Sequence, residues 1–168
     1  MEPDSPDDDL VIADTAPADP DAIWCRDRYF EELEARFEGG FDAGPGGAGG
    51  ADGDRDMAPP AGAFVIARLA DRAVGCGGVV VRRHADGPAF AEIKRMWVDE
   101  NLRGQGVGYR ILLALEDRAR MLGQKQVRLD SHRSLAAAHA LYRRCSYGEI
   151  ARYNDNPYAH LWFEKRLG

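Results

Sequence analysis

A glycine-rich turn between a strand pattern and a helix pattern constrains this 168-residue chain more than any other feature. The turn runs Arg103-Gly-Gln-Gly-Val-Gly108; an apolar-rich segment, 91–98, precedes it and a helical pattern, 109–122, follows it. Such a turn leaves several backbone N–H groups pointing in one direction, with the positive end of the helix dipole behind them. The sequence therefore predicts a site for a phosphorylated ligand.

The residues of this turn exclude two common phosphate-binding loops. A P-loop requires Gly-Lys-Ser/Thr at the start of the helix, whereas this helix begins Gly108-Tyr109-Arg110. The dinucleotide fingerprint requires a third glycine, and the matching position, counted from Gly104 and Gly106, is Tyr109. A side chain at that position prevents the close packing that the fingerprint needs.

Charge and composition divide the chain into a tail and one domain. The net charge is −6, but residues 1–22 hold eight acidic residues and no Lys or Arg, which leaves 20 acidic against 22 basic residues in the remainder. We predict a disordered acidic tail at 1–20 and a single domain at 21–168. Within it, twelve of the 24 residues at 39–62 are Gly or Pro, which predicts a long loop. The mildly basic domain carries no nucleic-acid-binding stripe.

The cysteines and the hydropathy favour a cytoplasmic protein without a membrane partner. Cys25, Cys76 and Cys145 are odd in number and widely spaced, so they form neither a disulfide framework nor a zinc motif. No apolar run approaches the roughly 20 residues of a membrane span. The acidic N-terminus lacks the pattern of a signal peptide.

The remaining periodicity predicts antiparallel strands first and a β-α-β unit after them. The strand at 126–131 must run parallel to the strand at 90–98, because a helix connects them. Strands are predicted at 11–13, 63–70, 74–82, 90–98 and 126–131, with a closing hairpin of 147–153 and 159–166, and helices at 21–37, 106–122 and 135–145.

The turn and the order of elements resemble those of the GNAT family of N-acetyltransferases. The family's acyl-CoA loop is written Arg/Gln-x-x-Gly-x-Gly/Ala, and Arg103, Gly106 and Gly108 fill its three defined positions. The resemblance covers nearly all of 63–166 and implies an α/β (α+β) GNAT fold. That fold has a mixed central sheet of six to seven strands, a β-α-β CoA-binding core and flanking helices.

A second stretch, from Leu129 to Tyr147, resembles the family's other motif and departs from it in two places. Leu135 stands where the family often has asparagine, and Ser146-Tyr147 replaces the usual Gly-Phe. By its place in this motif, Tyr142 matches the tyrosine that protonates the departing CoA thiolate. The alternative is a core aromatic on an apolar stripe.

The resemblance further implies that acetyl-CoA is the co-substrate and that no metal is required. Met96 matches the residue whose backbone amide polarises the thioester carbonyl, and Val98 the residue whose backbone pairs with the pantetheine arm; both side chains are equally suited to the core. The implied cofactor-binding residues are Met96, Trp97, Val98, Arg103, Gly104, Gln105, Gly106, Val107, Gly108, Tyr109 and Tyr142.

Acetyl transfer also needs a proton acceptor, because an alkyl amine with a pKa of about 10 arrives protonated. Glu92 lies four residues before Met96, hence on the same face of the strand. Ala91-Glu-Ile also resembles the matching strand of histone acetyltransferases, in which the glutamate is the general base. Lys94 shares that face and Arg95 is near, so a structural ion pair is the alternative.

The sequence leaves the acceptor amine open between a small amino compound, an amino acid and a peptide N-terminus. We expect the helix at 21–37, the turn near Gly40-Phe41 and the C-terminal hairpin to line its site. The alternatives to an acetyltransferase are a non-catalytic acyl-CoA sensor and a transferase for a longer acyl-CoA. We expect no nucleic-acid partner, and self-association into a homodimer stays open.

Overall fold

The computed structural model describes residues 9–42, 54–84 and 87–168. Within these ranges seven strands form one mixed sheet, flanked by helices. The strands are β1 (Leu10–Asp14), β2 (Gly62–Leu69), β3 (Arg72–Arg82), β4 (Phe90–Val98), β5 (Gln126–Ser131), β6 (Gly148–Ile150) and β7 (Leu161–Arg166). The helices are α1 (Pro20–Arg36), α2 (Val107–Met121) and α3 (Ala136–Arg144), and a short 3-10 turn (Glu100–Leu102) precedes α2. The strand order is β1-β2-β3-β4-β5-β7-β6.

The parallel pair at the centre of the sheet is short. Strands β1 to β4 are antiparallel neighbours, and β5 pairs antiparallel with β7. Strands β4 and β5 are parallel, and their register consists of Ala91 opposite Val127 and Glu92 opposite Arg128. Beyond Glu92 the two strands diverge, so the second half of β4 borders a gap in the sheet.

A β-bulge lies on the part of β4 that borders this gap. In the register with β3, Cys76 is opposite Trp97 and Gly78 is opposite Lys94, so two residues of β4 face one residue of β3. The extra residue bends β4, and Arg95 takes a left-handed conformation with φ of +60°. The bulge and the divergence from β5 therefore expose the backbone at the same point.

The sheet is covered on one face by α2 and on the other by α1. Ile111, Leu112 and Leu115 of α2 are fully buried against the first face. Helix α2 packs closely on β3, because a Cβ at Gly77 would lie 2.7 Å from Leu115 Cδ1. On the second face, Cys25 of α1 packs in a separate buried cluster.

The order and type of the predicted elements are confirmed, with ends shifted by a few residues. The predicted tail at 1–20 is too long, because β1 pairs with β2 and brings the folded unit back to Leu10; residues 1–8 lie outside the described residues. The predicted loop at 39–62 stays a prediction over most of its length. Its residues 43–53 are not described, but Asp54 and Met57 are buried and Gly62 begins β2. No helix in the described ranges is long and apolar enough to cross a membrane.

Candidate active site

The gap between β4 and β5 opens into a cavity of about 880 Å³, a volume typical of ligand sites. Its walls come from α1, the bulged half of β4, the glycine turn, the end of β5, α3 and the segment 156–158. The predicted cofactor-binding residues that line it are Met96, Trp97, Val98, Arg103, Gly104, Gly106, Val107, Gly108, Tyr109 and Tyr142. Gln105 does not line it, and its side-chain amide instead donates to the Asn101 carbonyl at 3.4 Å.

The glycine turn has the backbone shape that a phosphate group requires. Gly104 and Gly106 have φ values of +80° and +86°, a region that favours glycine. Nothing lies within 4 Å of a Cβ built on either residue, so conformation and not crowding requires glycine there. Gly106 is the N-cap of α2 and provides no side-chain cap. The first backbone N–H groups of α2 therefore remain available to an anion beside the cavity.

The side chain of Arg103 has a structural role in this turn. Its Nη2 and Nε donate to the Val98 carbonyl at 2.9 and 3.1 Å, and Nη2 also pairs with Glu32 of α1. These contacts fasten the turn to the end of β4 and to α1. The guanidinium is thus already engaged, and anion binding at this turn falls mainly to the backbone.

Met96 and Trp97 present their backbone to the cavity in different ways. Met96 belongs to the bulge, and its side chain packs against the core on the α2 face. The Trp97 side chain is buried on the α1 face, where its ring meets that of Trp24 edge-on with centroids 5.8 Å apart. The Trp97 ring therefore packs on the opposite face of the sheet from the Met96 side chain.

Tyr142 projects from α3 into the wall of the same cavity. It is 7% exposed and packs beside Tyr147 and Phe163, with ring centroids 5.9 and 5.7 Å away. Burial raises the pKa of the Tyr142 phenol well above its ordinary value, so the group stays protonated at neutral pH. Among the described residues no hydrogen bond engages its hydroxyl, which leaves the proton available to a ligand.

Glu92 is held in a network of polar contacts. The carboxylate is buried and accepts a hydrogen bond from the Tyr153 hydroxyl at 2.8 Å. Arg82 Nε and Lys94 Nζ lie 3.4 and 3.5 Å from its Oε1. Burial and the adjacent Glu92 charge raise the pKa of Tyr153, which keeps that hydroxyl a donor. The geometry thus matches the ion-pair alternative more closely than a carboxylate with a free lone pair.

Asp130 is the acidic residue of the site that sequence reasoning missed. It accepts hydrogen bonds from Asn154 Nδ2 at 2.6 Å and Asn156 Nδ2 at 3.0 Å. Among the described residues no Lys, Arg or His nitrogen lies within ion-pair distance of it. Burial, and secondarily the Glu92 charge, raise its pKa above the ordinary carboxyl value. Strand alternation from Arg128, the parallel partner of Glu92, could have placed it on this face.

Aromatic side chains form one wall of the cavity. Phe37, at the end of α1, stacks on His132 with centroids 3.7 Å apart and on Tyr158 at 5.7 Å. Phe41 lies 4.8 Å from Tyr158 and 5.6 Å from Phe30. The three segments that were expected to line the acceptor site therefore meet here.

A smaller cavity of about 420 Å³ lies on the far side of the same polar network. The two cavities share Glu92, Lys94, Asp130 and Asn156 in their walls. These four polar residues therefore border a cavity on each of two sides. Among the described residues, no cluster of three or more His, Cys, Asp or Glu side chains is placed to hold a metal ion.

Comparison with known proteins relates this chain to acyltransferases. The sequence profile of the Acetyltransferase (GNAT) family matches residues 24–147. The chain is 32% identical over 114 residues to an IAA acetyltransferase of Azospirillum brasilense, in a match that covers 66% of this chain and 72% of that protein. A second match, 33% identical over 141 residues, is to an uncharacterized protein of Mycobacterium leprae; it covers 84% of this chain but 35% of that longer protein.

A solved structure from Klebsiella pneumoniae, described as an acyl-CoA N-acyltransferase, has the same fold. It superposes with a TM-score of 0.68 at 29% identity, over 95% of this chain and 98% of its own.

Proposed function

Since this chain belongs to the GNAT family of acetyltransferases, we propose that it transfers the acetyl group of acetyl-CoA to a primary amine by direct attack in a ternary complex. The observation that carries the proposal is the gap between β4 and β5. One cavity is bordered there by the bulged backbone at Met96, by the glycine turn and by Tyr142. An acyl donor and an acceptor can thus meet at a backbone amide, with a protonated hydroxyl beside them.

The family uses acyl-CoA donors, and the residues of this site fit that group. Backbone N–H groups of residues 104–109 would hold the pyrophosphate, since the N-cap Gly106 leaves the first turn of α2 without a side-chain partner. At Val98, β4 still pairs with β3 but no longer with β5, and the Val98 carbonyl already accepts from Arg103. The Val98 N–H would hydrogen-bond the pantetheine arm as an added strand does. CoA supplies the activated thioester, and the chain supplies binding, polarisation and proton transfer.

The proposed chemistry consists of one addition and one elimination. The Met96 N–H donates to the thioester carbonyl and stabilises the oxyanion that forms when the neutral amine attacks. A C–N bond forms and the C–S bond breaks. The thiolate takes the proton of the Tyr142 hydroxyl, and the proton that the nitrogen releases as it becomes an amide restores the Tyr142 phenol. Burial keeps that hydroxyl protonated until the thiolate appears.

We assign removal of the ammonium proton to Asp130, and we keep Glu92 as the alternative. Glu92 already has a hydroxyl donor and two cations on its carboxylate. Asp130 has two neutral amides and a raised pKa, which suits a group that must accept a proton near neutral pH. In this arrangement Glu92 and Asn154 position Asp130 through the 3.5 Å contact between Asn154 Nδ2 and Glu92 Oε2.

The first test measures acetyl-CoA binding by calorimetry and amine-dependent release of CoA thiol with the full chain. Tyr142→Phe should lower kcat by about 10²- to 10⁴-fold, the usual contribution of a general acid, while the Kd for acetyl-CoA changes less than about twofold. Tyr147→Phe is the matched control, because Tyr147 is a buried neighbour that does not line the cavity. A well-folded wild type that binds no acetyl-CoA would refute the proposal. Undiminished turnover by Tyr142→Phe would remove the acid assignment.

Asp130→Asn and Glu92→Gln distinguish the two proton acceptors. Asp130→Asn should lose the rise of kcat with pH, because it removes the base. Glu92→Gln should retain a rise that is displaced along the pH axis, because Glu92 positions the base. If Glu92→Gln alone abolishes the pH dependence, the assignment to Asp130 is wrong.

A further inference from the structure

We propose that the acceptor of this enzyme is a monoamine with an aromatic or similarly flat apolar group, and not an amino acid or a polyamine. This inference rests on the acetyl transfer proposed above and specifies the substrate class of the same site. Three observations support it: an aromatic wall, a carboxylate that has no cationic partner within the described part of the chain, and three cavity-lining cations that are already paired.

The aromatic wall consists of one buried ring, Phe37, and two half-buried rings, Phe41 and Tyr158, all of which line the cavity. Phe37, Phe41 and Tyr158 contact one another, with centroid separations of 5.9, 5.7 and 4.8 Å. The Asp42 backbone N–H donates to the Tyr158 hydroxyl at 3.0 Å, which holds the end of this segment against the ring. Three rings in mutual contact offer a broad apolar surface, and such surfaces bind flat apolar groups by area and by ring packing.

The aromatic wall is coupled to Asp130 through one side chain. Asn156 Nδ2 donates to Asp130 at 3.0 Å, and Asn156 Oδ1 accepts from the Tyr158 backbone N–H, also at 3.0 Å. The carboxylate and the rings are therefore fixed relative to each other by adjacent hydrogen bonds. An acceptor that placed its ammonium on Asp130 would extend its body along the rings.

Three cations that line the cavity are already paired, which disfavours an acceptor whose carboxylate would bind at them. Lys94 lies 3.5 Å from Glu92, Arg95 lies 3.2 Å from Asp54, and Arg36 lies 2.9 Å from Glu32. An amino acid would have to displace one of these partners to bind its carboxylate. A polyamine would face the opposite cost, because its second ammonium would lie against the apolar wall.

The test compares three acceptors at saturating acetyl-CoA: 2-phenylethylamine, phenylalanine and 1,5-diaminopentane. Phenylalanine adds a carboxylate to the same ring, and the diamine replaces the ring with a second charge. We expect kcat/KM for 2-phenylethylamine to exceed both others by roughly tenfold or more, which is the scale of discrimination by an apolar pocket. Equal or higher kcat/KM for phenylalanine or the diamine would overturn the inference.

Phe41→Ala tests whether the wall is responsible. Phe41 is half-buried, so its removal should leave the fold intact, and KM for 2-phenylethylamine should rise about tenfold while kcat and acetyl-CoA binding change little. The control is Ile23→Ala, which removes an exposed apolar side chain of α1 that does not line the cavity. If both variants behave like the wild type toward 2-phenylethylamine, the wall does not bind the acceptor.

Calorimetry separates failure of this inference from failure of the proposed function. Binding of 2-phenylethylamine to the CoA-loaded protein that Phe41→Ala weakens, without any acetyl transfer, would support the pocket and refute the transferase. Acetyl transfer to amines with and without an aromatic group at the same kcat/KM would support the transferase and refute the pocket.

Discussion

Neutralising Asp54 should destabilise the protein more than neutralising any exposed carboxylate. Asp54 is 2% exposed and lies between two buried arginines. Arg26 Nε is 2.8 Å from its Oδ2, and Arg95 Nη2 is 3.2 Å from its Oδ1. Arg26 also donates to the Pro17 carbonyl at 2.7 Å. The carboxylate is therefore the counter-charge of two buried guanidinium groups.

Asp54→Asn preserves the shape of the side chain and removes this charge. Within the described ranges, two buried guanidinium groups then lack a counter-charge, and their Arg26 Nη1 and Arg95 Nε atoms have no hydrogen-bond partner there even in the wild type. Breaking one partner of a buried ion pair costs about 3–5 kcal/mol. For a chain of this length, that loss corresponds to a fall in Tm of roughly 6–20 °C.

Arg95 links this stability to the active site. It is the left-handed residue of the β4 bulge and precedes Met96, so release of its guanidinium removes a restraint on the backbone amide that would polarise the thioester. We expect kcat to fall in Asp54→Asn at a temperature where the variant is still folded, with a smaller change in the Kd for acetyl-CoA.

The assay is urea unfolding followed by tryptophan fluorescence, with Asp117→Asn as the matched control. Asp117 pairs with Arg120 at 2.9 Å on the surface of α2, with the two side chains 65% and 43% exposed. Exposed pairs of this kind contribute about 0–1 kcal/mol. If Asp54→Asn and Asp117→Asn have the same free energy of unfolding, the buried triad contributes no stability and the reasoning is wrong.

Three further predictions concern the turn, the proton acceptor and the core. Gly106→Ala forces a residue with a side chain to a φ of +86°, which costs about 1–2 kcal/mol. Calorimetry should therefore show weaker acetyl-CoA binding. The control Gly148→Ala, at an open position without a positive φ, should bind acetyl-CoA as the wild type does. Because the pKa of Asp130 is raised on folding, its contribution to stability is present below the ordinary carboxyl pKa and is lost as pH rises through the raised value. The free energy of unfolding of the wild type minus that of Asp130→Asn should therefore fall as pH rises through this interval in urea titrations, and a constant difference would refute the raised pKa. Tyr147→Phe removes the 2.9 Å hydrogen bond to buried Glu116 and should cost about 1–3 kcal/mol in the same assay, whereas an unchanged midpoint would show that Lys165 alone satisfies that carboxylate.

The parts of the fold that local patterns encode could be predicted from the sequence. The turn was predictable from its glycines, because Gly104 and Gly106 take a backbone conformation that other residues rarely adopt. The apolar-rich segment at 90–98 and the apolar stripe of 106–122 likewise predicted β4 and α2. Asp54 and Met57 gave no such signal, since isolated buried residues in a Gly/Pro-rich segment have no periodicity and their partners are distant in sequence.

The site itself depends on where the pairing of two strands stops, which no local pattern encodes. Glu92 and Arg128 are direct partners in the parallel register, so continued pairing would place Lys94 opposite Asp130 on the same face of the sheet. Those two side chains would then form a cross-strand ion pair. Because β4 bulges and diverges from β5, Lys94 lies beside Glu92 instead, and Asp130 is bound by the amides of Asn154 and Asn156. The same divergence thus opens the sheet at Met96 and leaves a partly buried carboxylate, Asp130, that has no cation within ion-pair distance among the described residues. A catalytic base and an oxyanion donor would arise together from one interruption of the sheet, and a variant that restored the Lys94–Asp130 pair would lose both.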